Sequence, residues 1–147
     1  MKKMISLCLA VTFTLGVYAL PPSDIPGKIL ESFHRDFPNV QKETIQNSGN
    51  SVVVYFNEDD HSSCRVFYDL KGVLKEVIRY YDASKLSPFI RSKVNEKFPG
   101  KEISGVTEVT SENTHFYEIE LQTAKVWYQI KCDADGTITT EKKWHKS

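Results

Sequence analysis

An excess of charge of one sign is missing from this sequence, which carries 19 Lys and Arg against 19 Asp and Glu. That balance argues against nucleic acid as a partner, because binding to phosphates needs a basic face, and against adhesion to an anionic membrane by charge alone. Long apolar runs are also lacking. The one candidate, Met4 to Leu15, is interrupted by Ser6, Thr12 and Thr14 and is soon followed by Pro21-Pro22. It is too short for a span of about 20 apolar residues, and no helix continues through the proline pair. With Lys2 and Lys3 before it and the small-x-small step Val17-Tyr18-Ala19 after it, residues 1–19 read as a signal peptide cut after Ala19. No stable membrane span is expected once it is removed, and the mature chain is expected to be periplasmic or secreted. Losing Lys2 and Lys3 leaves two more acidic than basic side chains.

Cysteine is scarce. Of three in the chain, Cys8 lies inside the apolar run, so it is not placed for lipidation. Cys64 and Cys132 remain after cleavage. An exported compartment permits a disulfide between them, but two cysteines are not a framework. A Cys64–Cys132 bridge and two free buried thiols both stay open, because sequence does not supply the Cα separation.

Recognisable chemistry is missing as well. His34, His61, His115 and His145 show no metal-ligand spacing, and Cys64 and Cys132 form no Cys-x-x-Cys motif. There is no Gly-x-Ser-x-Gly elbow and no phosphate-cradling glycine loop. Asp133-Ala134-Asp135-Gly136 starts like a calcium loop but lacks the third acidic position and the distant Glu. Asp59-Asp60-His61 reads as a charged hairpin tip. No catalytic residue, metal or cofactor is therefore expected.

What the sequence does contain is internal repetition. The segment Asp24 to Pro38 aligns without a gap on Lys85 to Pro99, pairing Ile25 with Leu86, Ile29 with Ile90, Phe33 with Val94 and Phe37-Pro38 with Phe98-Pro99. Apolar positions four residues apart predict one buried face of a helix. Ser23 or Asp24, and Ser84 or Ser87, are candidate caps, and the Phe-Pro steps predict the ends. Val66 to Leu74 likewise aligns on Ile130 to Ile138, both carrying Asp-x-x-Gly between strand-like runs, a hairpin signal. Further strands are predicted over 40–46, 52–57 and 74–81, and over 103–109, 116–122 and 138–144. Each copy thus reads as one helix and four strands, an α+β fold of two tandem α-β-β-β-β repeats over residues 20–83 and 84–147. Each antiparallel meander buries one face under its helix. The copies are expected to pack together, as one extended sheet or as two sheets meeting along an edge.

Side chains alternate across a strand. Tyr117, Ile119 and Leu121 are apolar between charged Glu118 and Glu120, so they are assigned to the helix side, with Val52, Val54 and Phe56 as their counterparts. Cys64, Val66 and Tyr68 and, in the second copy, Val126, Tyr128, Ile130 and Cys132 join them. The opposite parity holds Val53, Tyr55 and Phe67 in one copy and Phe116 and Trp127 in the other. Large aromatic groups on a surface otherwise polar mark a contact site; packing against one another across strands, or contact between the two copies, would equally place them there.

The helix ending Phe37-Pro38, its counterpart ending Phe98-Pro99, and the hairpins Asp69-Leu70-Lys71-Gly72 and Asp133-Ala134-Asp135-Gly136 together resemble the PepSY-like, beta-lactamase-inhibitor-like proteins exported to the bacterial periplasm. The resemblance covers almost all of the mature chain. It implies a helix packed on one sheet face and an open opposite face, which in inhibitor-type relatives receives the target. The expected function is a non-enzymatic binding module contacting an envelope protein or peptide through Tyr55, Phe67, Phe116 and Trp127. An envelope sensor or binder of a small apolar ligand, and an inhibitor or regulator of an envelope hydrolase, are the other readings.

Overall fold

The computed structural model describes residues 27–59 and 62–146. The expected signal peptide, the candidate caps Ser23 and Asp24, and Asp60 and His61 lie outside the described residues. In chain order the elements are α1 (Gly27–Asp36), β1 (Glu43–Ser48), β2 (Ser51–Asp59), β3 (Ser62–Asp69), β4 (Leu74–Tyr81), α2 (Pro88–Lys97), β5 (Glu102–Ser111), β6 (His115–Gln122), β7 (Val126–Asp133) and β8 (Ile138–His145). The class is α+β. All eight strands form one antiparallel sheet in the order β1 to β8. Of the two packings left open by the sequence, the single sheet is therefore the one adopted. Its two halves join where β4 pairs with β5, from Glu76 opposite Ser111 to Tyr81 opposite Val106.

The helices end where the Phe-Pro steps require. Phe37 and Phe98 donate their amides to Phe33 (2.7 Å) and Val94 (2.8 Å), and the following proline has no amide to continue the ladder. At the start of α2, Ser87 occupies the capping position but its hydroxyl makes no capping bond. Pro88 opens the helix instead, its preset φ suiting the first turn. Arg91 ties down the preceding loop by donating to the carbonyls of Ala83 (2.6 Å), Ser84 (3.1 Å) and Leu86 (3.0 Å).

Two apolar clusters sit under the helices. Ile29 and Phe33 of α1 pack with Val52, Val54, Phe56, Cys64, Val66, Tyr68 and Val77. Leu86, Ile90, Val94 and Phe98 pack with Val106, Tyr117, Ile119, Leu121, Ile130 and Cys132. Register places both clusters on the same side: Val54 opposes Val66 and Val66 opposes Val77, while Tyr81 opposes Val106, Val106 opposes Ile119 and Ile119 opposes Ile130. Both helices therefore cover one face and leave the other uncovered. Burial of each such side chain stabilises the fold by about 1.5–3 kcal/mol.

Both Asp-x-x-Gly hairpins form as expected. The amides of Lys71 and Val73 donate to Asp69 Oδ1 at 2.9 Å, and Gly72 and Gly136 adopt φ of 81° and 87°. These turns also press on the helices. A Cβ at Gly72 would lie 3.1 Å from Ser32 Oγ, and one at Gly136 would lie 2.9 Å from Lys93 Cγ. Glycine is thus needed twice over, for backbone sign and for clearance. The first strand begins later than the sequence suggests, at Glu43 rather than Val40, because Val40 is held in the turn after α1 by its amide bond to Phe37 (3.3 Å).

Cys64 and Cys132 are both buried and unbonded. They occupy β3 and β7, four strand spacings or about 19 Å apart, far beyond the roughly 7 Å limit for a bridge. The disulfide that the sequence left open is corrected to two free thiols in separate clusters.

Candidate functional site

The uncovered face is organised in cross-strand rows. One row runs Tyr55, Arg65, Ile78, Val109, Phe116, apolar at every position but Arg65, each residue opposite the next on strands β2 to β6. It crosses the β4–β5 junction without a break. Beside it, Val53 opposes Phe67 and Phe67 opposes Glu76. On its other flank Ser63, Tyr80, Thr107, Glu118 and Lys131 follow one another across β3 to β7. Val53 is only 4% exposed although no helix covers it, with Phe67 directly across from it. Tyr55, Phe67, Ile78, Tyr80, Val109 and Phe116 are half-buried.

Of the four residues singled out from sequence, Tyr55, Phe67 and Phe116 share this strip. Trp127 shares the face but not the strip. It lies opposite Gln122 and Trp144, six residues along the strand direction from the level of Phe116, or about 20 Å. Lys146 Nζ sits over its ring at 4.3 Å and also donates to Gln122 Oε1 (2.9 Å). Arg65, Ile78, Tyr80 and Val109 were missed. Ile78 and Tyr80 stand next to Val77 and Tyr81, so neighbouring residues of both parities are apolar and alternation alone does not separate them.

Cations decorate the strip. Lys131 Nζ lies 3.7 Å from the centre of the Phe116 ring. The Arg65 guanidinium lies 5.7 Å from the Tyr55 ring centre and 5.1 Å from that of Tyr80, within range for attraction to an aromatic face. A groove of about 490 Å³ runs beside them, its lining including Lys42, Thr44, Tyr55, Ser63, Arg65 and Tyr80.

The helix-covered face has its own polar feature. Between the two apolar clusters, Arg79 of β4 lies directly opposite Glu108 of β5. Arg79 Nε donates to Glu58 Oε1 (3.0 Å), Tyr81 Oη donates to Glu108 Oε2 (2.8 Å), and His115 Nε2 lies 2.8 Å from Glu108 Oε1. The Tyr81 phenol is held well above its usual range by burial and then by the Glu108 hydrogen bond. Burial, with Glu58 close by, pushes the Cys64 thiol up to about 12, the opposite of what a nucleophilic cysteine needs. Among the described residues no cluster of three or more His, Cys, Asp or Glu is placed to hold a metal. Asp135 serves its turn, accepting the Thr137 amide (2.9 Å), which lowers its carboxyl below the ordinary value. Among the described residues no helix is long and apolar enough to cross a membrane.

No family model matches the chain, and no curated protein matches it in sequence. Solved structures do resemble it. A BLIP-like protein of Bacteroides fragilis NCTC 9343 matches at 15% identity over 88% of this chain and 92% of its own, with a TM-score of 0.68. A protein of Bacteroides eggerthii DSM 20697, provisionally described as periplasmic, matches at 12% identity over 80% and 88%, with a TM-score of 0.64. A DUF2874 family protein of Bacteroides ovatus ATCC 8483 matches at 14% identity over 80% and 86%, with a TM-score of 0.62. The fold shared with the BLIP-like protein agrees with the beta-lactamase-inhibitor-like part of the resemblance read from sequence. At these identities the likeness establishes fold alone.

Proposed function

We propose that this chain is an exported, non-enzymatic binding protein that docks a protein or peptide of the cell envelope on its helix-free sheet face. The observation that carries the reading is the row Tyr55–Arg65–Ile78–Val109–Phe116 across five adjacent strands, which sets four half-buried apolar groups and one exposed arginine where no helix covers them. Rings of this size contribute affinity by being desolvated against a partner, each offering about 150–250 Å². Supporting it, the N-terminal pattern through Ala19 fits a cleaved signal, and the solved neighbours include a protein provisionally described as periplasmic. Residues 20–83 and 84–147 would be tandem copies of one PepSY-like α-β4 unit. The BLIP-like neighbour makes an envelope hydrolase one class of partner to test.

The test is capture from a native envelope extract by the wild-type protein and by the double variant Tyr55→Ala, Phe116→Ala. Capture of the specific partner should fall about tenfold or more, while the thermal midpoint moves by only a few degrees. A collapse of stability with these changes would identify the rings as core and defeat the reading.

A further inference from the structure

The four arginines of the chain are used differently. Arg35 pairs with Asp36 (3.1 Å), Arg79 with Glu58 (3.0 Å), and Arg91 donates to three backbone carbonyls. Among the described residues Arg65 has neither an ion-pair nor a hydrogen-bond partner; its contacts are the rings of Tyr55 and Tyr80. The sheet fixes that arrangement. Tyr55 stands directly across from Arg65 on β2, and Tyr80 stands diagonally on β4, since Ile78 is its direct partner. Glu76 lies diagonally on the other side, opposite Phe67. An arginine held against aromatic faces keeps its in-plane N–H groups free, and that planar fork matches a carboxylate. The adjoining groove adds Lys42 and no acidic group that faces Arg65; its one carboxylate, Glu43, is turned to His34 at 3.5 Å.

From this juxtaposition we propose that Tyr55, Arg65 and Tyr80 form a receptor for a side-chain carboxylate on an acidic segment of the docked protein. The inference rests on the reading of the helix-free face as the docking surface and adds what kind of partner fits it. Arg65 receives the carboxylate through paired N–H donors, Lys42 strengthens the local positive field, and the apolar row toward Phe116 buries the uncharged part of the segment.

The probe is a capped hexaglutamate peptide, titrated into the isotopically labelled protein and followed by NMR, with capped hexaglutamine and inorganic phosphate as comparisons. Hexaglutamate should give saturable shifts at Tyr55, Arg65 and Tyr80, weakened by added salt. Arg65→Gln should reduce the affinity at least tenfold. Arg65→Lys, which keeps the charge but not the fork, should fall between the two. Equal binding by Arg65→Gln, equal binding of hexaglutamine, or tighter binding of phosphate at Arg65 would overturn the proposal. If Arg65→Gln also captures the envelope partner at full strength, the carboxylate receptor fails while the docking face stands. If the Tyr55→Ala, Phe116→Ala variant captures fully as well, both fail.

Discussion

Arg65 and Arg79 stand on neighbouring strands but on opposite faces of the sheet. Arg79 points to the helix side, bonded to Glu58 and facing Glu108 across the β4–β5 junction. Arg65 points to the helix-free side, exposed, between two tyrosine rings and, among the described residues, without a carboxylate in ion-pair contact. The same residue type therefore does structural work on one face and is left unspent on the other. The apolar groups divide in the same way. Those under the helices are almost fully enclosed in two clusters, whereas those on the reverse stay half-buried in one strip that runs across both halves.

Core truncation should break this contrast most strongly. Phe33→Ala and Ile119→Ala, each emptying a fully buried site, should cost about 2–5 kcal/mol in denaturant unfolding. Phe116→Ala on the reverse face should cost about 1 kcal/mol or less. A Phe116→Ala loss as large as that of Phe33→Ala would mean that the strip is core.

The two arginines should separate next. Arg79→Met leaves Glu58 and Glu108 without their shared cation and should cost about 1–3 kcal/mol. Arg65→Met should stay within about 0.5 kcal/mol. Equal costs by urea titration would erase the difference drawn between the faces.

A smaller effect is expected at alkaline pH. Burial raises the Cys64 thiol from 9.0 to about 12, and raises the Tyr81 phenol from 10.0, aided by Glu108. The unfolded chain therefore gives up these protons at lower pH than the folded chain. Their stabilising contribution is complete below about pH 9 and is lost as pH rises toward the folded values. Urea midpoints should fall from pH 8 to pH 10.5, and Tyr81→Phe should flatten the decline. An unchanged slope in that variant would show that Tyr81 does not titrate differently in the two states.

Much of the covered face was legible because it obeys local rules. Apolar spacing of four residues marked the helices, Phe-Pro steps marked their ends, and Asp-x-x-Gly marked two hairpins. Alternation around Glu118 and Glu120 assigned Tyr117, Ile119 and Leu121 to the helix side, where they lie buried. The reverse face was legible only in part. Tyr55, Phe67 and Phe116 were found by parity, but the strip they share depends on β4 pairing with β5, a long-range register that no local pattern specifies. Consecutive apolar pairs at Val77-Ile78 and Tyr80-Tyr81 hid Ile78 and Tyr80. Glu108 meets Arg79 across 29 positions of chain, so their opposition emerged only with the sheet. The separation of Cys64 from Cys132 belongs to the same class, since it is set by strand order.

The most direct test of the docking face is hydroxyl-radical footprinting of the captured complex against the free protein. Tyr55, Phe67 and Phe116 should lose labelling when the partner is bound, while Phe89 of α2, 52% exposed on the opposite side, should label as before. Protection of Phe89 with unchanged labelling of Tyr55 and Phe116 would place the partner on the helices and contradict the account.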